Sequence, residues 1–229
     1  MKTLVEINNI PIQEISTCSI LVPLLLAGFK LKTGGFKFHL FFLFLLFGAI
    51  VDGYGWFVYS TDRNPVPHGI LQYCYLFFEA IFFVWLCTGF LHYSKSKLLR
   101  RIFCVLLSST FVFKGWVLYT SNWNPSLASG TNSVLDGVFL ISISFLSAFA
   151  LLHMAERELD LLSFPWFWIL SGIFFYCFGS FFIDLIVRSG LIANLWKLRN
   201  FVNIIQYGFF IMGIVRLRPK RTEGTVPHS

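Results

Sequence analysis

VDGYGWFVYSTDRNPVPHGILQYCYLFFEA, Val51 to Ala80, decides how this chain is built. Up to Tyr59 it is the end of one apolar run. A short polar turn with Pro65 and Pro67 follows, and from Gly69 the chain is apolar again. Two apolar runs joined by a few turn residues read as a helical hairpin. Inside the second run stands Glu79, a charge where burial is costly.

Working outward, the same alternation fills the chain. A helix needs about 20 apolar residues to cross the hydrocarbon core. Seven runs meet that need: Ile12–Phe29, Phe36–Tyr59, Gly69–Tyr93, Leu98–Tyr119, Ser133–Met154, Phe164–Val187 and Leu195–Leu217. Gln13 and Glu14 make the first the weakest. The 229 residues are 56% hydrophobic and 13% charged, and mean hydropathy is +0.72. Soluble domains carry about 25% charged residues, so this composition excludes one. The expected fold is an all-α, polytopic membrane protein with seven transmembrane helices. Residues 1–217 form a single seven-helix transmembrane domain, and residues 218–229 a short basic and polar cytoplasmic tail. Residues 1–11 lack the basic start and small-residue cleavage site of a signal peptide, so the first run is expected to be retained.

Orientation follows from Lys and Arg in alternate connections. One set holds Lys30, Lys32, Lys37, Lys95, Lys97, Arg100, Arg101, Arg157, Arg216, Arg218, Lys220 and Arg221. The other holds Lys2, Arg63, Arg188, Lys197 and Arg199. The larger set belongs in the cytoplasm, which places the N-terminus outside and the C-terminus inside a cell (inner or plasma) membrane. Trp56, Tyr59, Tyr119 and Trp123 then form an outer aromatic belt. This placement of the basic residues also accounts for the net charge of +7 without nucleic acid.

The turn has an echo. Gly55-Trp56-Phe57-Val58-Tyr59-Ser60-Thr61-Asp62-Arg63-Asn64-Pro65 recurs as Gly115-Trp116-Val117-Leu118-Tyr119-Thr120-Ser121-Asn122-Trp123-Asn124-Pro125, identical at five of eleven positions. Two explanations stand. Both helices meet the same interface and use Asn and Pro for ordinary turns, or a helical hairpin was duplicated, as in transporters with parallel repeats.

Polar groups within the runs are the other signal, because ionisable residues in a span usually face the bundle interior or a wet cavity. His68, Gln72 and Glu79 lie within about 40° of one another on a helix, and Glu79 is about 16 Å below His68. Asp52, Trp56 and Tyr59 share one spacing on the second run. Arg199, Asn203 and Gln206 repeat it on the seventh, with Asn200 and Tyr207 beside them. Lys114 lies on the fourth run, Asp136 on the fifth, and Asp184 with Arg188 on the sixth. The plainest reading is linkage between helices, through pairs such as Glu79–Lys114 and Asp184–Arg188. The functional reading is a polar, ligand-binding pocket open to the outside, formed by Glu79, His68, Gln72, Asp52, Lys114, Asp136, Arg199, Asn200, Asn203 and Gln206. So many groups at one level favour the pocket, and Glu79 is its first candidate.

Other chemistry is poorly represented. The five cysteines are scattered through apolar runs without a CxxC pair. His39, His92 and His153 fall at the basic ends of their runs and are weak candidates for a metal, with no HxxxH or HExxH spacing. There is no serine elbow, P-loop or lysine in the middle of the seventh run, so no cofactor is expected.

Phe164-Pro165-Trp166-Phe167-Trp168-Ile169-Leu170-Ser171-Gly172-Ile173-Phe174-Phe175-Tyr176-Cys177-Phe178-Gly179 resembles a PxFWxxxGxxxYxxG pattern, and Asn200-Phe201-Val202-Asn203-Ile204-Ile205-Gln206-Tyr207 an NxxNIxxY pattern. Both are similar to those of a largely uncharacterised family of small bacterial seven-helix integral membrane proteins. Glu79 in the third helix and Asp136 opening the fifth also fit. The resemblance implies a stand-alone seven-helix protein and assigns no chemistry. The expected function is therefore a sensor or ligand-binding component in the lipid bilayer, with a small-molecule or ion ligand outside and a cytoplasmic protein partner on its basic face. The alternatives are a small-solute or proton-coupled transporter and an intramembrane lipid-modifying enzyme.

Overall fold

A computed structural model describes residues 12–32, 34–61, 64, 66–91, 93–121, 123, 129–157, 159–188 and 196–217. Seven helices in it are long and apolar enough to cross a membrane, as the sequence predicts. α1, Ile12–Phe29, is made of two pieces, Ile12–Ser19 and Leu21–Phe29. The break falls where Pro23 has no N–H to offer the Ser19 carbonyl. The others are α2 (Phe36–Ser60), α3 (Val66–Thr88), α4 (Tyr93–Thr120), α5 (Ser129–Ala155), α6 (Pro165–Arg188) and α7 (Trp196–Arg216).

Four boundaries differ from the sequence reading by more than one residue: α4 starts at Tyr93 rather than Leu98, α5 at Ser129 rather than Ser133, and both ends of α3 shift. α3 starts at Val66 rather than Gly69, because Pro67 sits in the first turn, where a missing N–H costs nothing. Asn64 supports that start by accepting the Val66 N–H at 3.0 Å. It stops at Thr88, just before Gly89, rather than at Tyr93. Before α6, Pro165 takes the first helical position, where its missing N–H costs nothing, and Ser163 donates to the Asp160 carboxylate.

Each helix packs on the next in sequence, and α7 returns against both pieces of α1, so the bundle is a closed ring. α3 also touches α5. The α6–α7 pair is brought together by glycines. A methyl group at Gly213 would stand 2.8 Å from the Pro165 carbonyl oxygen, and one at Gly172 would stand 2.9 Å from the Phe209 Cβ. Without a hydrophobic drive between helices in lipid, such close backbone approach is what holds a pair. α5 contributes Ser142, Ser144 and Ser147, all buried and small enough for its neighbours to come near.

The two ends of the bundle differ. At the basic end the Lys30 ammonium donates to the carbonyls of Ile214 (2.8 Å), Val215 (2.8 Å) and Leu217 (3.0 Å). It thereby satisfies the orphan carbonyls that end α7. Nearby, Lys37 lies over Phe90 and Arg216 over Trp168. Between this end and the middle is an aromatic core. Phe41 meets Phe210 edge-on at 5.2 Å, and Phe44 stacks on Phe82 at 5.2 Å and tilts against Phe83. Phe38, Phe41, Phe83 and Phe210 are almost fully enclosed. Toward the other end, that of the Thr61–Asn64 turn, the interior opens.

Candidate functional site

α3 is the element that sets the site, and the repeated GWxxY segments explain how it is held. The His68 ring donates to the Val51 carbonyl on α2, and a methyl group at Gly55 would stand 2.5 Å from its Nε2. The Tyr73 hydroxyl donates to the Phe111 carbonyl on α4 at 2.7 Å, and a methyl group at Gly115 would stand 2.7 Å from that oxygen. In both cases a ring of α3 is seated on the repeated glycine and bonds the carbonyl four residues before it. Trp56 and Trp116, which follow those glycines, both face outward. The two segments are therefore the same packing device used on either side of α3.

That arrangement turns the polar stripe of α3 inward, onto a cavity of about 570 Å³. Nine of the ten candidate residues line it: Glu79, His68, Gln72, Asp52, Lys114, Asp136, Arg199, Asn203 and Gln206. Asn200 does not line it. They come from α2, α3, α4, α5 and α7, and Tyr176 and Asp184 add α6. Six helices thus contribute to one space. Its volume falls within the roughly 300–1,000 Å³ typical of ligand pockets. Glu79 is its deepest charged group, 4% exposed, and Phe44 of the aromatic core lies beside it as a floor.

Charge pairing within the cavity differs from the sequence reading. Lys114 pairs with Asp136 across α4 and α5, not with Glu79. Asp184 lies 3.8 Å from Arg199 across α6 and α7; the Arg188 side chain is outside the described residues. Arg199 also donates to the Tyr176 hydroxyl. The reason is rotational. Sequence spacing fixes which residues share a helix face, but not which neighbour that face meets.

Several contributors carry no charge signal. Tyr75, Tyr176 and Tyr207 stand in electrostatic reach of Glu79, with Asp52 and Arg199. Trp123 was expected in the outer belt; instead it turns inward, lines the cavity and meets Tyr73 edge-on at 6.0 Å. A left-handed backbone (φ 58°) and an N–H bond to the Leu118 carbonyl at 2.8 Å direct it there. The aromatics could have been sought by asking what faces the glycine of each GWxxY. That rule finds Tyr73, but not Tyr176 or Tyr207.

The histidines of the basic end are apart from this site. His39 Nδ1 bonds the Gly35 carbonyl at 3.0 Å, and His153 Nδ1 lies 3.4 Å from Glu156. His92 is outside the described residues. Among the described residues, no three His, Cys, Asp or Glu side chains gather as metal ligands would.

The cavity brings both charge signs together with phenols, amides and an apolar floor. No protein-family model, curated protein or solved structure matches the chain.

Proposed function

We propose that the protein is a ligand-binding or sensing component of a cell membrane, taking a small molecule or ion into the cavity between α2 and α7. One observation carries this reading. Polar residues from six helices, spread from Asp52 to Gln206, converge on one space that an aromatic floor closes. Linkage alone would not gather them there, since Lys114–Asp136 and Asp184–Arg199 already join those helices. The excess of basic residues at the other end supports an outward-facing cavity and a cytoplasmic partner on the inner face.

Gly69 offers the test. It lines the cavity, and nothing lies within 4 Å of where its side chain would begin. Gly69→Phe therefore fills the space without a backbone clash. A library of small metabolites screened by thermal unfolding of the purified protein should contain compounds that raise Tm, and Gly69→Phe should abolish their effect. If the variant responds to each compound as the parent does, the cavity is not a ligand site.

A second reading is a transporter of a small solute or of protons, favoured by Glu79, a carboxyl group near the middle of a span. Flux would require the floor of Phe41, Phe44, Phe83 and Phe210 to open. Proteoliposomes should then show uptake that responds to a pH gradient and is lost in Glu79→Gln.

A further inference from the structure

The cavity is lined by four carboxyl groups, Asp52, Glu79, Asp136 and Asp184, and by two basic side chains, Lys114 and Arg199. Both cations are engaged by carboxylates on adjacent helices, Lys114 by Asp136 and Arg199 by Asp184. His68 has given its ring N–H to the Val51 carbonyl. Asp52 and Glu79 remain. Neither has a salt-bridge partner within 4.0 Å among the described residues, and Arg199, the nearest cation to act on Glu79, is shared with Asp184 and Tyr176.

Glu79 is 4% exposed and lines the cavity. Holding a carboxyl there is costly unless something in the cavity compensates it. The surroundings indicate what does. Tyr75, Tyr176, Tyr207 and Phe44 line the same cavity as Asp52 and Glu79. Carboxylates backed by aromatic rings are the chemistry that receives an ammonium group, by charge and by attraction to the ring faces.

We propose that this cavity binds an organic cation, an amine or quaternary ammonium with an apolar body, its charge between Asp52 and Glu79 and its body against the aromatic floor. The inference rests on the ligand-binding reading above and names the ligand's class. An anion fits poorly, since it would have to displace Asp136 from Lys114 or Asp184 from Arg199 and would add to the uncompensated acids.

Three probes of nearly one shape separate charge from bulk: benzylammonium, benzyl alcohol and benzoate. Binding to the full chain in nanodiscs is measured by calorimetry, at fixed salt. Benzylammonium should bind at least tenfold more tightly than either of the others. Glu79→Gln and Asp52→Asn should each weaken it tenfold or more, and Gly69→Phe should remove it. Where the Gln variant does not fold, Glu79→Asp keeps the charge and should keep the order of preference. Equal or tighter binding of benzoate or benzyl alcohol, lost in Gly69→Phe, overturns the cation inference and leaves the pocket reading standing. Unchanged benzylammonium binding in both Glu79→Gln and Asp52→Asn overturns it as well. If no probe binds the parent chain, the cation inference falls, while the metabolite screen with Gly69→Phe decides the pocket reading on its own.

Discussion

At the scale of the residue, the pairing of Lys114 with Asp136 makes a sharp prediction. Lys114 is 7% exposed, whereas the Asp136 side chain is 37% exposed. Lys114→Met leaves a half-buried carboxylate without its cation, which costs about 1–3 kcal/mol after allowance for the water that reaches Asp136. The double change Lys114→Met with Asp136→Leu should cost less than the single one, because no charge is then stranded. Equilibrium unfolding in detergent, followed by tryptophan fluorescence, measures both; a double variant weaker than the single would refute the pairing. The sequence made most of these residues visible, since a charge or amide in an apolar run stands out without further knowledge. Their partners were not visible. Glu79 and Lys114 lie at similar depth and suggest a pair, yet α4 is rotated so that Lys114 meets α5. Tyr75 and Tyr176 were hidden for a different reason: a phenol is amphipathic, and Tyr176 reads as readily as a lipid-facing ring as it does as a wall of a polar cavity.

At the scale of the element, glycines carry the packing, and they sort into two kinds. A methyl group at Gly213 meets a backbone carbonyl that cannot step aside, and Gly213→Ala should cost about 2–3 kcal/mol. Gly208, five residues earlier on the same helix, has nothing within 4 Å of where its side chain would begin. Gly208→Ala should be neutral or stabilising by up to about 1 kcal/mol. The two variants compared in one unfolding series test whether α6–α7 contact is set by backbone approach. Gly55 and Gly115 face ring ends instead, so Gly55→Ala should displace His68 from the Val51 carbonyl. Combining it with His68→Ala should recover part of the loss, a coupling that a double-mutant cycle reads directly. The helices themselves were readable from apolar run length, but not all of their ends, since α3 reads as Gly69–Tyr93 and runs from Val66 to Thr88. The GWxxY echo was visible as well. Its meaning was not, because the partner that makes it a packing device lies on a helix between the two copies.

At the scale of the whole molecule, charge asymmetry predicts topology. Asn64 is exposed in the turn at one end, and Leu159 is fully exposed at the other. In a background without the five native cysteines, Asn64→Cys should react with an impermeant maleimide in intact cells. Leu159→Cys should react only after permeabilisation. The reverse pattern would place the cavity on the cytoplasmic side and would move the candidate partner with it. Seven spans and two unlike ends follow from composition and from the periodic return of basic residues; the ring does not. The closed floor does not, since Phe41, Phe44, Phe83 and Phe210 belong to three helices and are lost among the chain's 29 phenylalanines.

The contact of Lys30 with the end of α7 has a consequence in time rather than in space. Lys30 is made early, and its three acceptors lie 184 to 187 residues further along the chain. At roughly 5–20 residues per second, synthesis of that interval takes about 10–40 s. Throughout it the ring cannot close, and six spans wait side by side in the membrane. The interior is therefore sealed only when α7 arrives, which also brings Arg199, Asn203 and Gln206 to their places along the cavity wall. Assembly of the bundle and completion of the site are one event.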